Sequence, residues 1–198
     1  IIASGLAFAV SILLLQQVLT SGVISYELGG WQAPWGIEYR IDKLNAFLLL
    51  IISGISTVVL FAAQTSLEKE IPKDKHIYFY VLYLLSLTGM LGIVATGDAF
   101  NVFVFLEISS LSAYALIGMG NKRQALWASY QYLIMGTIGA TFILIGIGLM
   151  YQMTGTLNMH DLSQRLPEVE QSRTVLAAFA FVIVGVCLKL AMFPLHLW

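Results

Sequence analysis

Residues 99–119 read AFNVFVFLEISSLSAYALIGM, and their reading decides what fold this chain can adopt. At 1.5 Å per residue such a helix rises about 31 Å, which matches the hydrocarbon thickness of a bilayer. The stretch is apolar enough to remain there, yet Glu107 stands roughly 13 Å along it. Ser110 at i+3 and Tyr114 at i+7 share the face of Glu107, and Phe103 precedes it by one turn. A charge at the centre of a membrane helix costs about 2.5–3.5 kcal/mol on insertion scales. Residues that carry this cost face a bundle interior and mark ion or proton paths. The plainer alternative for Glu107 is a protonated acid that bonds two helices together.

Working outward, the whole chain has the composition of a membrane protein. Its 198 residues are 59% hydrophobic and 11% charged, with a mean hydropathy of +0.85. Soluble domains carry about 25% charged residues. The net charge of −1 argues against a nucleic-acid partner. The single Cys187 permits no internal disulfide and no CxxC motif. No secretory signal pattern with a cleavage site is present. The chain starts at Ile1 and stops in mid-motif at Trp198, so it is expected to be a piece of a longer protein.

Six runs predict helices, at about 1–25, 44–63, 77–97, 99–119, 125–151 and 174–198. The last holds Lys189 and is expected to break at Pro194. No run alternates with period two, which excludes a transmembrane barrel. The expected fold is all-α, a single polytopic transmembrane bundle over residues 1–198. Connections 26–43, 97–98 and 152–173 fall on one side, and 64–76 and 120–124 on the other. The second group concentrates Lys69, Lys73, Lys75, Lys122 and Arg123 in short loops, which places it in the cytoplasm. Residues 26–40 predict an interfacial hairpin or turn with Trp31 and Trp35 at headgroup level. Leu157, Met159, Leu162 and Leu166 predict a short amphipathic surface helix.

Two ionisable residues lie within the predicted spans, Glu107 and Lys189. Lys189 follows fifteen apolar residues and is followed by the apolar AMFPLHLW, which argues against its snorkelling to an interface. Counted from their helix starts, Lys189 lies roughly 9 Å deeper than Glu107, so spacing alone leaves their meeting open. His196 reads equally as a proton relay or as a packed histidine. Asp98 reads as a helix N-cap, Asp42 as part of an interfacial charge cluster, and His76 and His160 as solvated loop residues. Gly136 and Ala140 form a small-xxx-small packing face. No dinucleotide, Walker, HExxH or hydrolase motif is present, so neither a cofactor nor a metal is expected.

The segment GDAFNVFVFLEISSLSAYALIGMGNKRQALWASYQYLIMGTIGATFILIGIGLMYQMTGTLNMHDL resembles the antiporter-like membrane subunits shared by Mrp-type antiporters, complex I and membrane-bound hydrogenases. The nearest likeness is to the D subunit of Mrp-type monovalent cation/proton antiporters. GVCLKLAMFPLHLW is similar to that family's lysine-bearing helix with its proline break. The resemblance implies a fold of about fourteen helices with inverted five-helix repeats, of which this chain would hold helices two to seven. It implies that Glu107 faces Lys189 as the proton-transfer pair. It further implies an ion-transport subunit rather than an enzyme, working in the bacterial inner membrane with other membrane subunits and exchanging H+ for Na+ or another monovalent cation. The alternatives are a proton-pumping subunit of a NADH:quinone oxidoreductase or membrane-bound hydrogenase, and a structural subunit with a static ion pair.

Overall fold

Every long apolar run is a helix, because backbone N–H and C=O groups in hydrocarbon must pair within their own segment. The computed structural model describes residues 1–120 and 122–195, with the backbone alone for 68–70. Its helices are α1 (Ile2–Ser21), α2 (Lys43–Glu70), α3 (His76–Ala95), α4 (Ala99–Gly118), α5 (Arg123–Thr154), α6 (Met159–Val169) and α7 (Arg173–Lys189). The first five are long and apolar enough to cross a membrane. At 17 residues, α7 rises only about 25 Å and falls short of a full crossing. The fold is therefore an all-α membrane bundle, as the sequence predicts.

Three boundaries depart from the sequence reading. Helix α1 stops at Ser21, ahead of residue 25, where Gly22 takes a φ of 85°. The chain then enters a hairpin of β1 (Ile24–Glu27) and β2 (Glu38–Ile41), antiparallel with Ile24 opposite Ile41. Trp31 and Trp35 stand exposed at its tip, at 71% and 88%. Helix α2 continues past residue 63 to Glu70, since QTSLEKE is rich in helix formers and only Pro72 forces Ile71 into an extended conformation. The last helix is interrupted as its proline requires, but its regular turns end at Lys189. A helix through Pro194 would set the proline ring against the Leu190 carbonyl. Instead Met192 N donates to the Cys187 carbonyl and Ala191 N to the Leu188 carbonyl, with Ala191 left-handed at φ 51°. This is a Schellman closure built on a residue other than glycine.

The five spanning helices and α7 pack in chain order, α1 on α2, then α3, α4, α5 and α7. Val18, Ile41, Ala46 and Leu49 form a buried core beneath the hairpin. One end of the bundle is sewn together by backbone bonds. Gly97 N donates to the Glu38 carbonyl at 2.9 Å, Ala99 N to the Leu157 carbonyl at 2.8 Å, and Met159 N to the Gly97 carbonyl at 2.8 Å. Asn45 Nδ2 donates to the carbonyls of Arg40 and Val94, at 3.0 and 2.8 Å. Connections 26–43, 97–98 and 152–173 thus gather at one end, as predicted. Helix α6 is the short amphipathic helix, with Leu162 buried and Asp161 paired to Arg165 at 2.9 Å.

Several polar residues cap helices. Asp98 accepts from Asn101 N at 2.7 Å, as expected. Asp42 is more than an interfacial charge, because it caps α2 by accepting from Asn45 N at 2.9 Å. His76 begins α3 and its Nε2 donates to the Ile71 carbonyl at 2.9 Å, so it is not a free loop side chain.

Candidate functional site

Helix α5 sets the relative heights of α4 and α7. On one side it meets α7 through residues too small to hold the two backbones apart. A Cβ at Gly139 would lie 3.1 Å from both the Gly185 oxygen and Leu188 Cβ, and 3.4 Å from Lys189 Cγ. On its other side it holds α4. Ser129 Oγ donates to the Tyr114 carbonyl at 2.6 Å. Tyr132 packs edge-on against Tyr114 with ring centroids 4.5 Å apart.

Between these contacts Lys189 meets Glu107. Lys189 Nζ donates to Glu107 Oε1 at 3.3 Å and to Ser110 Oγ at 2.9 Å. Their side chains are 12% and 23% exposed, so the pair lies within the bundle rather than on its rim. The 9 Å offset counted along the helices does not keep them apart, because the helix starts are not level. The first N–H of α4 is pinned to Leu157, whereas α7 begins only after α6 has run its course. Lys189 is also the last residue of α7, and a cation is favoured near the negative end of a helix dipole.

This arrangement pairs the two charges inside the bundle. Ser110 supplies an acceptor for one ammonium proton and Glu107 supplies the countercharge, so a buried lysine is satisfied without water on that side. His196 lies outside the described residues. Among the described residues no three His, Cys, Asp or Glu side chains gather as a metal site.

Sequence reading named Glu107, Lys189 and the Ser110–Tyr114 face, but it missed Gly139 and Gly185, which let α7 approach. The signal was present as glycines at positions 139 and 146 of α5, one helical face two turns apart. It also missed Asn158, whose Oδ1 caps α6 by accepting from His160 N and Asp161 N. An Asn before a Met-His-Asp turn is a readable N-cap signal.

Comparison with known proteins fits this geometry. The family described as NADH:quinone oxidoreductase/Mrp antiporter, TM, matches residues 96–198, which include both members of the pair. The chain belongs to this family. Over 173 residues it is 46% identical to the N subunit of the NADH-quinone oxidoreductase of Desulforudis audaxviator, covering 87% of this chain and 34% of that protein. Over 199 aligned residues it is 34% identical to the D subunit of the Na(+)/H(+) antiporter of Bacillus subtilis, covering 99% of this chain and 39% of that one. Among solved structures, a chain of an archaeal membrane-bound sulfane sulfur reductase superposes with a TM-score of 0.87 at 35% identity, over 100% of this chain and 40% of its own. The Mrp complex from Dietzia sp. gives 0.81 at 25% identity, over 98% and 36%. The chain spans about a third to two fifths of the length of these proteins. It is a multi-pass inner-membrane protein of the antiporter-like kind.

Proposed function

We propose that the chain is part of a membrane subunit of a multisubunit cation/proton antiporter, which exchanges H+ for Na+ or another monovalent cation through Glu107 and Lys189. The observation that carries this reading is the Lys189 ammonium held between the Glu107 carboxylate and the Ser110 hydroxyl inside an apolar bundle. At 3.3 Å and an effective dielectric constant near 20, the attraction is of the order of a few kcal/mol. A proton arriving on Glu107 cancels that attraction and frees the lysine. A few kcal/mol alters the occupancy of the contact by about two orders of magnitude, enough to pass a charge change to the next group. The antiporter names among the relatives support exchange, and they differ in cation, with Na(+)/H(+) in Bacillus subtilis and K(+)/H(+) in Rhizobium meliloti. The density of lysines and arginines assigns 64–76 and 120–124 to the cytoplasmic side. The partners are the other membrane subunits of the complex and the surrounding lipid.

The test is cation-dependent proton flux in the full complex carrying Glu107→Gln or Lys189→Ala. Each variant is expected to assemble and to lose at least about tenfold in flux. Full flux in both would make the pair a static structural contact and refute the reading. The 46% identity to an oxidoreductase subunit favours a second reading, in which electron transfer elsewhere in a complex drives the same pair. Neighbouring genes separate the two: small Mrp-type subunits support exchange, and flavin and iron-sulfur or nickel-iron subunits support the redox-driven pump.

A further inference from the structure

One turn beyond Ser110, Tyr114 is almost fully buried, at 4% exposure. Its hydroxyl closes no hydrogen bond among the described residues. Ser110 is placed to hydrogen-bond the phenol, although its contact with Tyr114 Oη falls short of full bond geometry, while Tyr132 and Glu107 act on the phenol through charge alone. Phenylalanine would fill the same space and leave nothing unpaired. A buried hydroxyl without a partner is unfavourable, and natural structures contain few of them. The site is also shaped around this oxygen. The Cβ of any residue at position 136 would collide with the Tyr114 hydroxyl, and α5 carries Gly136 there. The glycine that reads from sequence as half of a helix-packing face therefore makes room for a polar atom.

From these contacts we infer that Tyr114 is a positioning residue for the Glu107–Lys189 pair, acting through Ser110. Ser110 Oγ accepts from the ammonium, which leaves its own O–H free to donate, and Tyr114 Oη lies on the same helix face as the next acceptor. When the ammonium withdraws from Ser110, the serine and tyrosine hydroxyls bond to each other, and this holds the serine in place for the lysine's return. Tyr114 thereby sets how readily Lys189 leaves the contact. Two other titratable groups act on it: Tyr132, which meets it edge-on from α5, and Glu107, two turns back on its own helix. The inference rests on the transport reading and adds a residue to it.

Tyr114→Phe tests it, because the ring and its packing on Tyr132 remain and only the hydroxyl goes. Cation-dependent proton flux is measured against pH in the full complex for Tyr114→Phe, Ser110→Ala, the double variant and Glu107→Gln. Tyr114→Phe should assemble normally and move the pH profile by at least about half a unit. Ser110→Ala should move it in the same direction, and the double variant should move it no further than the larger single, as for two residues acting through one contact. Gly136→Ala, which displaces the phenol while keeping its hydroxyl, should reproduce the shift and decides the matter if Tyr114→Phe assembles poorly. An unmoved profile in Tyr114→Phe and Gly136→Ala, with flux lost in Glu107→Gln, overturns the role of Tyr114 and leaves the transport reading standing. Full flux in Glu107→Gln overturns both.

Discussion

Gly185→Ala should separate α7 from α5 and so reach the ion pair one turn away. A methyl group at position 185 would lie 2.6 Å from the Gly139 oxygen, 2.7 Å from Ile143 Cγ1 and 2.9 Å from Ile143 N. Two of these three atoms are backbone and cannot rotate aside. Ordinary contact begins at 3.4 Å, so α7 must retreat by about 3.4 − 2.6 = 0.8 Å. Overpacking of this kind costs about 1–3 kcal/mol. Alanine also gains about 1 kcal/mol over glycine in a helix, so the effect must be read against a control. Gly148→Ala in α5 is that control, because its methyl would meet nothing within 4 Å. Thermal unfolding of the full complex should place Gly185→Ala several degrees below Gly148→Ala, at about 2–4 °C per kcal/mol. Gly139→Ala should fall between them, since its tightest contacts are 3.1 Å. Flux should fall with Gly185→Ala and hold with Gly148→Ala. Equal melting temperatures for the 185 and 148 variants would refute the close approach of α5 and α7.

Two further outcomes can be measured in the same complex. Ala191→Gly should raise the melting temperature, worth about 1 kcal/mol, by relieving the left-handed residue that closes α7; a lower melting temperature would count against that closure. Asp98→Ala should cost about 0.5–2 kcal/mol by removing the α4 cap, whereas Asp98→Asn should keep it. Burial lifts the Asp98 carboxyl above the ordinary range, against the lowering effect of the Asn101 and Phe100 backbone N–H groups. Its contribution is therefore complete below the unfolded-state value and declines as pH rises through the raised one. Asp98→Asn should abolish that decline in melting temperature, and an unchanged pH dependence would refute the assignment.

Glu107 and Lys189 were legible because charge in a greasy helix is costly, and that cost depends on composition alone. The same physics made the spans readable, since hydrocarbon admits only helices whose backbone groups pair internally. Asp98 as a cap was readable too, from a short polar side chain ahead of an apolar run. The end of α7 was less so. Pro194 announced an interruption, but the turn that closes it at Lys189 depends on Ala191 accepting a left-handed conformation that its side chain disfavours.

By itself, then, the sequence determined that this chain is a membrane bundle carrying an acid and a base in its spans, because period, length and insertion cost are local properties. Only the tertiary structure decided that the two meet. Their separation depends on how α4 and α7 are each seated on α5, through Tyr114 against Tyr132 on one side and Gly139 against Gly185 on the other. That seating is a matter of which surfaces can approach within a few tenths of an ångström, and residue counts along separate helices carry no information about it.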